Sequence, residues 1–212
     1  MKEESVSFPC GKIYLEGILG LPEGKGPFPA VVVCHPHPLY GGSMDNNVVA
    51  AVCAALGREK VAWLRFNFRG VGRSGGRFAE GIGEQDDVKS ALTFLTTLGE
   101  IDPARLALCG YSFGTMVAIP VADVDERVQA IAGISPFFVS PDLLKKYARP
   151  KLFICGDEDE FINHQEIERI VSELPEPKGY ECIHGADHFW RGLEKEWAAK
   201  LGSFFDSVLK RK

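Results

Sequence analysis

Two hydrophobic rhythms take turns along this chain. Residues 30–34, Ala-Val-Val-Val-Cys, form a continuous β-branched run, the pattern of a strand buried on both faces of a parallel sheet. Residues 46–58 then carry apolar side chains at helical spacing, with Asp45 as the expected N-cap. The exchange continues with a strand over 61–67, a helix over 84–98 and a strand over 105–109. An apolar helix opening with Thr115-Met-Val-Ala-Ile119 follows. Further strands are predicted at 128–134, 151–155 and 179–183, and further helices at 165–173 and 193–209. Residues 5–8 and 13–21 read as a leading antiparallel pair turning at Pro9-Cys10-Gly11. Strands that alternate with helices need crossover connections. The expected fold class is therefore α/β, with a mostly parallel sheet of about seven or eight strands and helices on both faces. No repeat or linker divides the pattern, so residues 1–212 are expected to form one domain.

Between the strand at 105–109 and the helix after it lies Gly110-Tyr111-Ser112-Phe113-Gly114. A serine on so sharp a strand-to-helix turn needs small neighbours, because a side chain at either glycine would meet the adjoining backbone. Such an elbow lifts the Ser Oγ clear of the sheet and aims the next N–H at a substrate. With 23 glycines in the chain, the five-residue pattern alone is weak, and the flanking strand and helix make it specific.

Downstream, Gly156-Asp157-Glu158-Asp159 places carboxylates at one strand tip, and His184-Gly-Ala-Asp-His188-Phe-Trp places imidazoles at the last. A serine hydroxyl is a poor nucleophile until a neutral imidazole takes its proton, and that imidazole needs a carboxylate to fix its tautomer. The order Ser, acid, His suits such a device built on parallel strand tips. An oxyanion would need two backbone donors. Phe113 N–H follows from the elbow. The second belongs to the loop after residue 34, where Pro36 and Pro38 cannot donate, leaving His37, Leu39, Tyr40, Gly41 and Gly42.

Composition narrows the class. A net charge of −5 and a 45% hydrophobic content fit a soluble enzyme domain and leave no basic face for nucleic acid. No run approaches the ~18 apolar residues of a membrane span, and the first residues lack the apolar core of a signal peptide. Six scattered cysteines without a C-x-x-C pair read as small core residues in a reducing compartment, and a cytoplasmic protein is expected, as a monomer or homodimer. Gly70-Val-Gly72-Arg-Ser-Gly75 has the form of a dinucleotide-binding turn, but it runs into more glycine instead of opening a helix. His35-x-His37 and His184-x-x-x-His188 lack zinc spacing on a helix, since Pro36, Pro38 and Gly185 interrupt them. Neither a cofactor nor a metal is expected.

Taken with the elbow, the runs His35-Pro-His37-Pro38, Gly41-Gly-Ser-Met-Asp-Asn46 and Arg65-Phe-Asn-Phe-Arg-Gly-Val-Gly-Arg-Ser74 resemble one family over nearly the whole chain. It is the small, lidless bacterial branch of the α/β-hydrolase superfamily related to dienelactone hydrolases. The resemblance implies Ser112 as nucleophile. It implies Asp159, three past the strand-end glycine, as the acid, leaving Asp157 as a turn residue and Glu158 facing solvent. His188, just before an aromatic pair, is implied as base in preference to His184. His37, two past the strand-end His35, becomes the second oxyanion donor, with Leu39 or Tyr40 as fallback. Many relatives insert a helical cap before the acid strand; here only residues 135–150 are available, enough for a loop and one short helix. A shallow, open cleft walled by Leu39, Tyr40, Phe113, Phe137, Phe138 and Trp190 is expected. The implied activity is hydrolysis of small, short-acyl carboxylic esters through an acyl-enzyme. A thioesterase or acyl transferase would use the same residues; a peptidase and a non-catalytic binding protein are the remaining alternatives.

Overall fold

A computed structural model describes residues 1–210. The strands are β1 (Lys2–Cys10), β2 (Ile13–Leu21), β3 (Phe28–Cys34), β4 (Ala62–Phe66), β5 (Ile101–Tyr111), β6 (Val128–Ile134), β7 (Lys151–Gly156) and β8 (Lys178–Ile183). They form one sheet in the order β1-β2-β4-β3-β5-β6-β7-β8. From β4 through β8 all neighbours are parallel; β1 and β2 pair antiparallel, and β2 joins β4 antiparallel.

The helices are α1 (Asn47–Arg58), α2 (Gly83–Thr96), α3 (Phe113–Val124), α4 (His164–Glu173) and α5 (Glu194–Leu209). The twofold strand period decides which face each side chain serves. Ala30, Val32 and Cys34 pack with α2, α3 and α4, whereas Val31 and Val33 pack with α1 and α5. The unbroken apolar run of β3 is thus explained by burial on both sides.

The chain leaves β3 through α1 to β4 on one side, then returns through α2 to β5 on the other. Adjacent strands whose connections diverge open a crevice beyond their C-terminal ends, where doubly wound sheets bind ligands. Here that crevice lies between the loops after β3 and β5.

Several sequence expectations need adjusting. The first strand runs through Pro9 to Cys10, so the hairpin turns at Gly11-Lys12 instead of Pro9-Cys10-Gly11. The N-cap of α1 is Asn46, whose side chain accepts the Val48 amide at 2.9 Å, while Asp45 forms an ion pair with Arg65. Residues 135–150 contain turns and no helix. Leu144 and Tyr147 are buried in the core and the Leu144 amide donates to Asp123, so the later part of the segment packs onto the α3 side of the sheet, while Phe137 reaches the cleft at the strand tips. No helix among the described residues is long and apolar enough to cross a membrane.

Candidate active site

Ser112 sits at the tip of β5 with φ 53° and ψ −122°. A residue with a Cβ is strained there by roughly 1–3 kcal/mol, and the surroundings hold it. A Cβ on Gly110 would collide with the backbone of Gly114 and Thr115, and one on Gly114 with the Cys34 carbonyl. The two glycines therefore let the start of α3 press against the end of β3, which brings the Ser112 turn beside the His37 loop.

Parallel strands end at one edge of a sheet, so residues just past β5, β7 and β8 meet there. His188 Nε2 lies 2.9 Å from Ser112 Oγ, and its Nδ1 lies 2.9 and 3.0 Å from the two oxygens of Asp159. A carboxylate beside Nδ1 fixes the proton on that nitrogen and leaves Nε2 to accept from the hydroxyl. Asp159 Oδ1 also accepts the Phe161 and Ile162 amides, each at 3.0 Å. Burial pushes the Asp159 carboxyl up, but hydrogen bonds from His188, Ser135 and the Phe161 amide more than offset this and hold it below the usual carboxylate value. The His188 loop is fixed by Tyr111, whose hydroxyl donates to the His188 carbonyl at 2.6 Å, and by Asn47, which donates to the Phe189 carbonyl at 3.0 Å.

Asp157 and His184 form a second pair, 2.7 Å apart on the outer surface, away from Ser112. Asp157 also accepts the Gly185 amide, as a residue that shapes a turn, and Glu158 is exposed.

The loop after β3 narrows the choice of a second amide donor. Leu39 N–H donates to His37 Nδ1, Tyr40 and Gly42 N–H donate to the His37 carbonyl, and Gly41 N–H donates to the Pro38 carbonyl. Among the described residues, the His37 and Phe113 amides have no protein acceptor. Their side chains touch, with ring centroids 4.8 Å apart, and both residues line the cleft.

The motif runs that flank this loop brace each other. His35 Nε2 accepts the Phe68 amide at 3.0 Å while its Nδ1 donates to the Pro36 carbonyl at 2.6 Å. Burial lowers the His35 pKa to about 4, so the ring is neutral, as both bonds require. Asn67 Oδ1 accepts the Met44 amide, and Arg65 donates to the Met44 carbonyl. The glycine run at 70–75 folds back on β2, with Gly75 N–H on the Tyr14 carbonyl and Arg73 on Glu16.

The cleft over Ser112 has a volume of about 710 Å³. Of the expected walls, Tyr40, Phe113 and Phe137 line it. Three do not. Leu39 is exposed outside it, Phe138 turns inward against Phe153, and Trp190 is fully buried beneath the site with its ring against Trp197. Asp187 Oδ1 accepts the amides of both Phe189 and Trp190, and this tight turn sends Phe189 outward and Trp190 inward. Sequence reasoning missed Met116, Phe161 and Phe189 as walls. Their signal was position: one helical turn after Ser112, two residues after Asp159, and next to His188.

Comparison with known proteins agrees with this architecture. The sequence model of the Dienelactone hydrolase family matches residues 80–188. An uncharacterized protein of Rickettsia prowazekii is 31% identical over 93% of this chain and 89% of its own. An α/β serine hydrolase homologue from Coxiella burnetii superposes with a TM-score of 0.85 at 32% identity, covering 96% of this chain and 97% of that one. An α/β serine hydrolase without a lid from Xanthomonas campestris gives 0.85 at 29% identity, over 100% of this chain and 97% of its own. With its eight-stranded sheet, lidless strand tips and elbow serine, the chain belongs to the dienelactone hydrolase family and is an enzyme of hydrolase type.

Proposed function

We propose that the protein is a serine hydrolase that cleaves small, short-acyl carboxylic esters through an acyl-enzyme. The observation that carries this reading is one imidazole, His188, held within 3.0 Å of both a strained serine hydroxyl and a buried carboxylate. Ser112 Oγ attacks the ester carbonyl carbon as its proton passes to His188 Nε2, and the carbonyl π electrons move onto oxygen. The Phe113 and His37 amides donate to that oxyanion; losing one such donor typically costs ~3–4 kcal/mol of transition-state stabilisation. Collapse breaks the bond to the alcohol oxygen, which takes the proton from His188. Water, deprotonated by the same imidazole, then attacks the acyl-enzyme and releases the carboxylic acid and Ser112. Asp159 keeps the imidazole in the required tautomer and stabilises its cation throughout.

Short acyl groups follow from how the cleft is walled. Tyr40, Phe137, Phe161 and Phe189 are all exposed, so the walls are ring faces open to water. Each buried methylene contributes only ~0.8 kcal/mol, and only while it touches apolar surface. A fluorophosphonate should label Ser112, and kcat/KM on p-nitrophenyl esters should peak between acetyl and hexanoyl. Absence of labelling in folded protein sinks the nucleophile assignment, and a maximum at dodecanoyl or longer sinks the short-acyl reading.

A further inference from the structure

Phe78 belongs to no strand or helix and does not line the cleft. Its ring nevertheless closes a triangle with His37 and Phe113, the two residues whose amides have no protein acceptor among the described residues. Ring centroids lie 5.1 Å apart for Phe78 and His37, 5.7 Å for Phe78 and Phe113, and 4.8 Å for His37 and Phe113. His37 sits on the loop after β3 and Phe113 at the start of α3, and the third ring is wedged against both. Close-packed rings of this kind resist sliding, because a small shift of one forces the others to move.

The residues on either side of Phe78 keep it there. Gly70, in the motif run at 65–74, has φ 77°, and a Cβ on it would stand 3.0 Å from Arg77 Cα and 3.1 Å from the Phe78 nitrogen. The bare glycine lets the Phe78 backbone lie against the motif turn. Beyond Phe78, Glu80 and Gly81 have φ 56° and 83°, a turn that costs energy at the residue carrying a Cβ. Glu84 holds that turn. It is fully buried, and its two carboxylate oxygens accept the Ala79 and Gly81 amides, each at 2.8 Å. The turn also abuts the cleft, since a Cβ on Gly81 would meet Met116 Cε at 2.7 Å and Phe113 Cε2 at 3.6 Å. Farther back, Arg69 grips the buried Asp87 of α2 at 2.7 Å, which fixes the segment to the same helix that carries Glu84.

We propose that Phe78, held in place by Glu84, is a positioning residue that sets the separation of the His37 and Phe113 amides. This rests on the reading of those two amides as the oxyanion donors. A donor moved by a fraction of an ångström loses its fit to the transition state while ground-state binding changes little. Phe78→Ala should therefore lower kcat on p-nitrophenyl butyrate about tenfold, with KM within about twofold of wild type. Phe78→Leu, which refills most of the space, should recover kcat to within about threefold. Glu84→Gln, which turns an amide N–H₂ toward one of the two backbone donors, should lower kcat by less than Phe78→Ala does. In His37→Pro one donor is already gone and Phe78 has no pair to space. Adding Phe78→Ala there should cost less than about twofold more, because residues acting through one another are not additive. An undiminished kcat in folded Phe78→Ala, a loss confined to KM, or the same factor lost with and without His37→Pro overturns the proposal, and an undiminished Glu84→Gln overturns the clamp. Where Phe78→Ala does not fold, Phe78→Val goes through the same cycle and decides by the same criteria. A silent His37→Pro would overturn the parent reading of the donors; a damaged His37→Pro beside an undiminished Phe78→Ala overturns only this one.

Discussion

The tips of β7 and β8 build two aspartate–histidine pairs of nearly the same bond length. His184 and Asp157 meet at 2.7 Å, with their side chains 95% and 28% exposed; His188 and Asp159 meet at 2.9 Å, with side chains 11% and 0% exposed. Distance does not distinguish them. Surroundings do. The outer pair sits in water, where high dielectric and salt weaken its attraction. The inner pair is largely buried, its carboxylate is held by backbone amides, and its imidazole faces Ser112. The same two residue types, two strand tips and one hydrogen bond therefore yield a surface contact in one place and a candidate proton relay in the other.

The largest expected effect tests that contrast directly. On the proposed reading, His188→Ala and Asp159→Asn should each lower kcat by about 10⁴-fold or more, the first by removing the base and the second by releasing the imidazole tautomer. His184→Ala and Asp157→Asn should leave kcat within about twofold, since neither residue reaches the cleft. Steady-state kinetics on p-nitrophenyl butyrate decide it. An exchange of behaviour between the two aspartates would move the relay to the outer pair and break the comparison.

A second test asks what the inner pair needs besides itself. His37 has φ −56°, which proline can adopt, and its amide has no protein acceptor among the described residues. His37→Pro should therefore remove one donor with little backbone strain and lower kcat by about 10²–10³-fold. His37→Ala keeps the amide and should stay within about tenfold of wild type. Equal effects from the two variants would mean that the ring matters and the amide does not.

Much of this was readable in the chain because parallel strands end at one edge. A serine, a carboxylate and a histidine each placed just past such a strand gather at that edge, but two aspartates and two histidines stand there, and it was the family resemblance that selected Asp159 and His188. Side-chain direction inside a tight turn has no comparable rule. Phe189 and Trp190 are neighbours of similar hydrophobicity, and only the Asp187 bonds to both amides decide which enters the core. The N-cap moved from Asp45 to Asn46 for a related reason: both residues suit a cap, and the ion pair with Arg65 claims the aspartate. The motif runs at 35–46 and 65–74 could be matched by resemblance, but their mutual bracing through His35, Asn67 and Arg65 needs the fold.

Burial should also be visible in stability. His35 is neutral because burial lowers its pKa from 6.5 to about 4. As pH falls below 6.5 the unfolded chain takes up a proton that the folded protein refuses until about 4, so stability is lost across that window. The loss should approach about 3 kcal/mol. His37, also lowered by burial, acts in the same direction. Urea unfolding between pH 7 and pH 4.5 should show the decline, and His35→Gln should flatten most of it even if that variant is less stable throughout. A slope unchanged in His35→Gln would assign the window to other groups.

The smallest effect belongs to the outer pair. The hydrogen bond and charge of Asp157 raise the His184 pKa above its ordinary value, and His184 in turn holds Asp157 below its own. A raised histidine pKa adds stability at pH values below the unfolded one and loses it as pH climbs through the folded one, the reverse of His35. Because both side chains are in contact with water, that contribution should be too small to move the unfolding midpoint. It should still appear in the titration itself. Followed by NMR of the ring protons, the His184 midpoint should lie above 6.5 at low salt. It should drop toward 6.5 in Asp157→Asn or in about 1 M salt, where the screening length is ~3 Å. The Asp159 carboxylate, shielded from solvent, should keep its depressed value under the same salt. If salt moved both pairs equally, burial would not be what separates them, and the contrast between the two strand-tip pairs would have to rest on Ser112 alone.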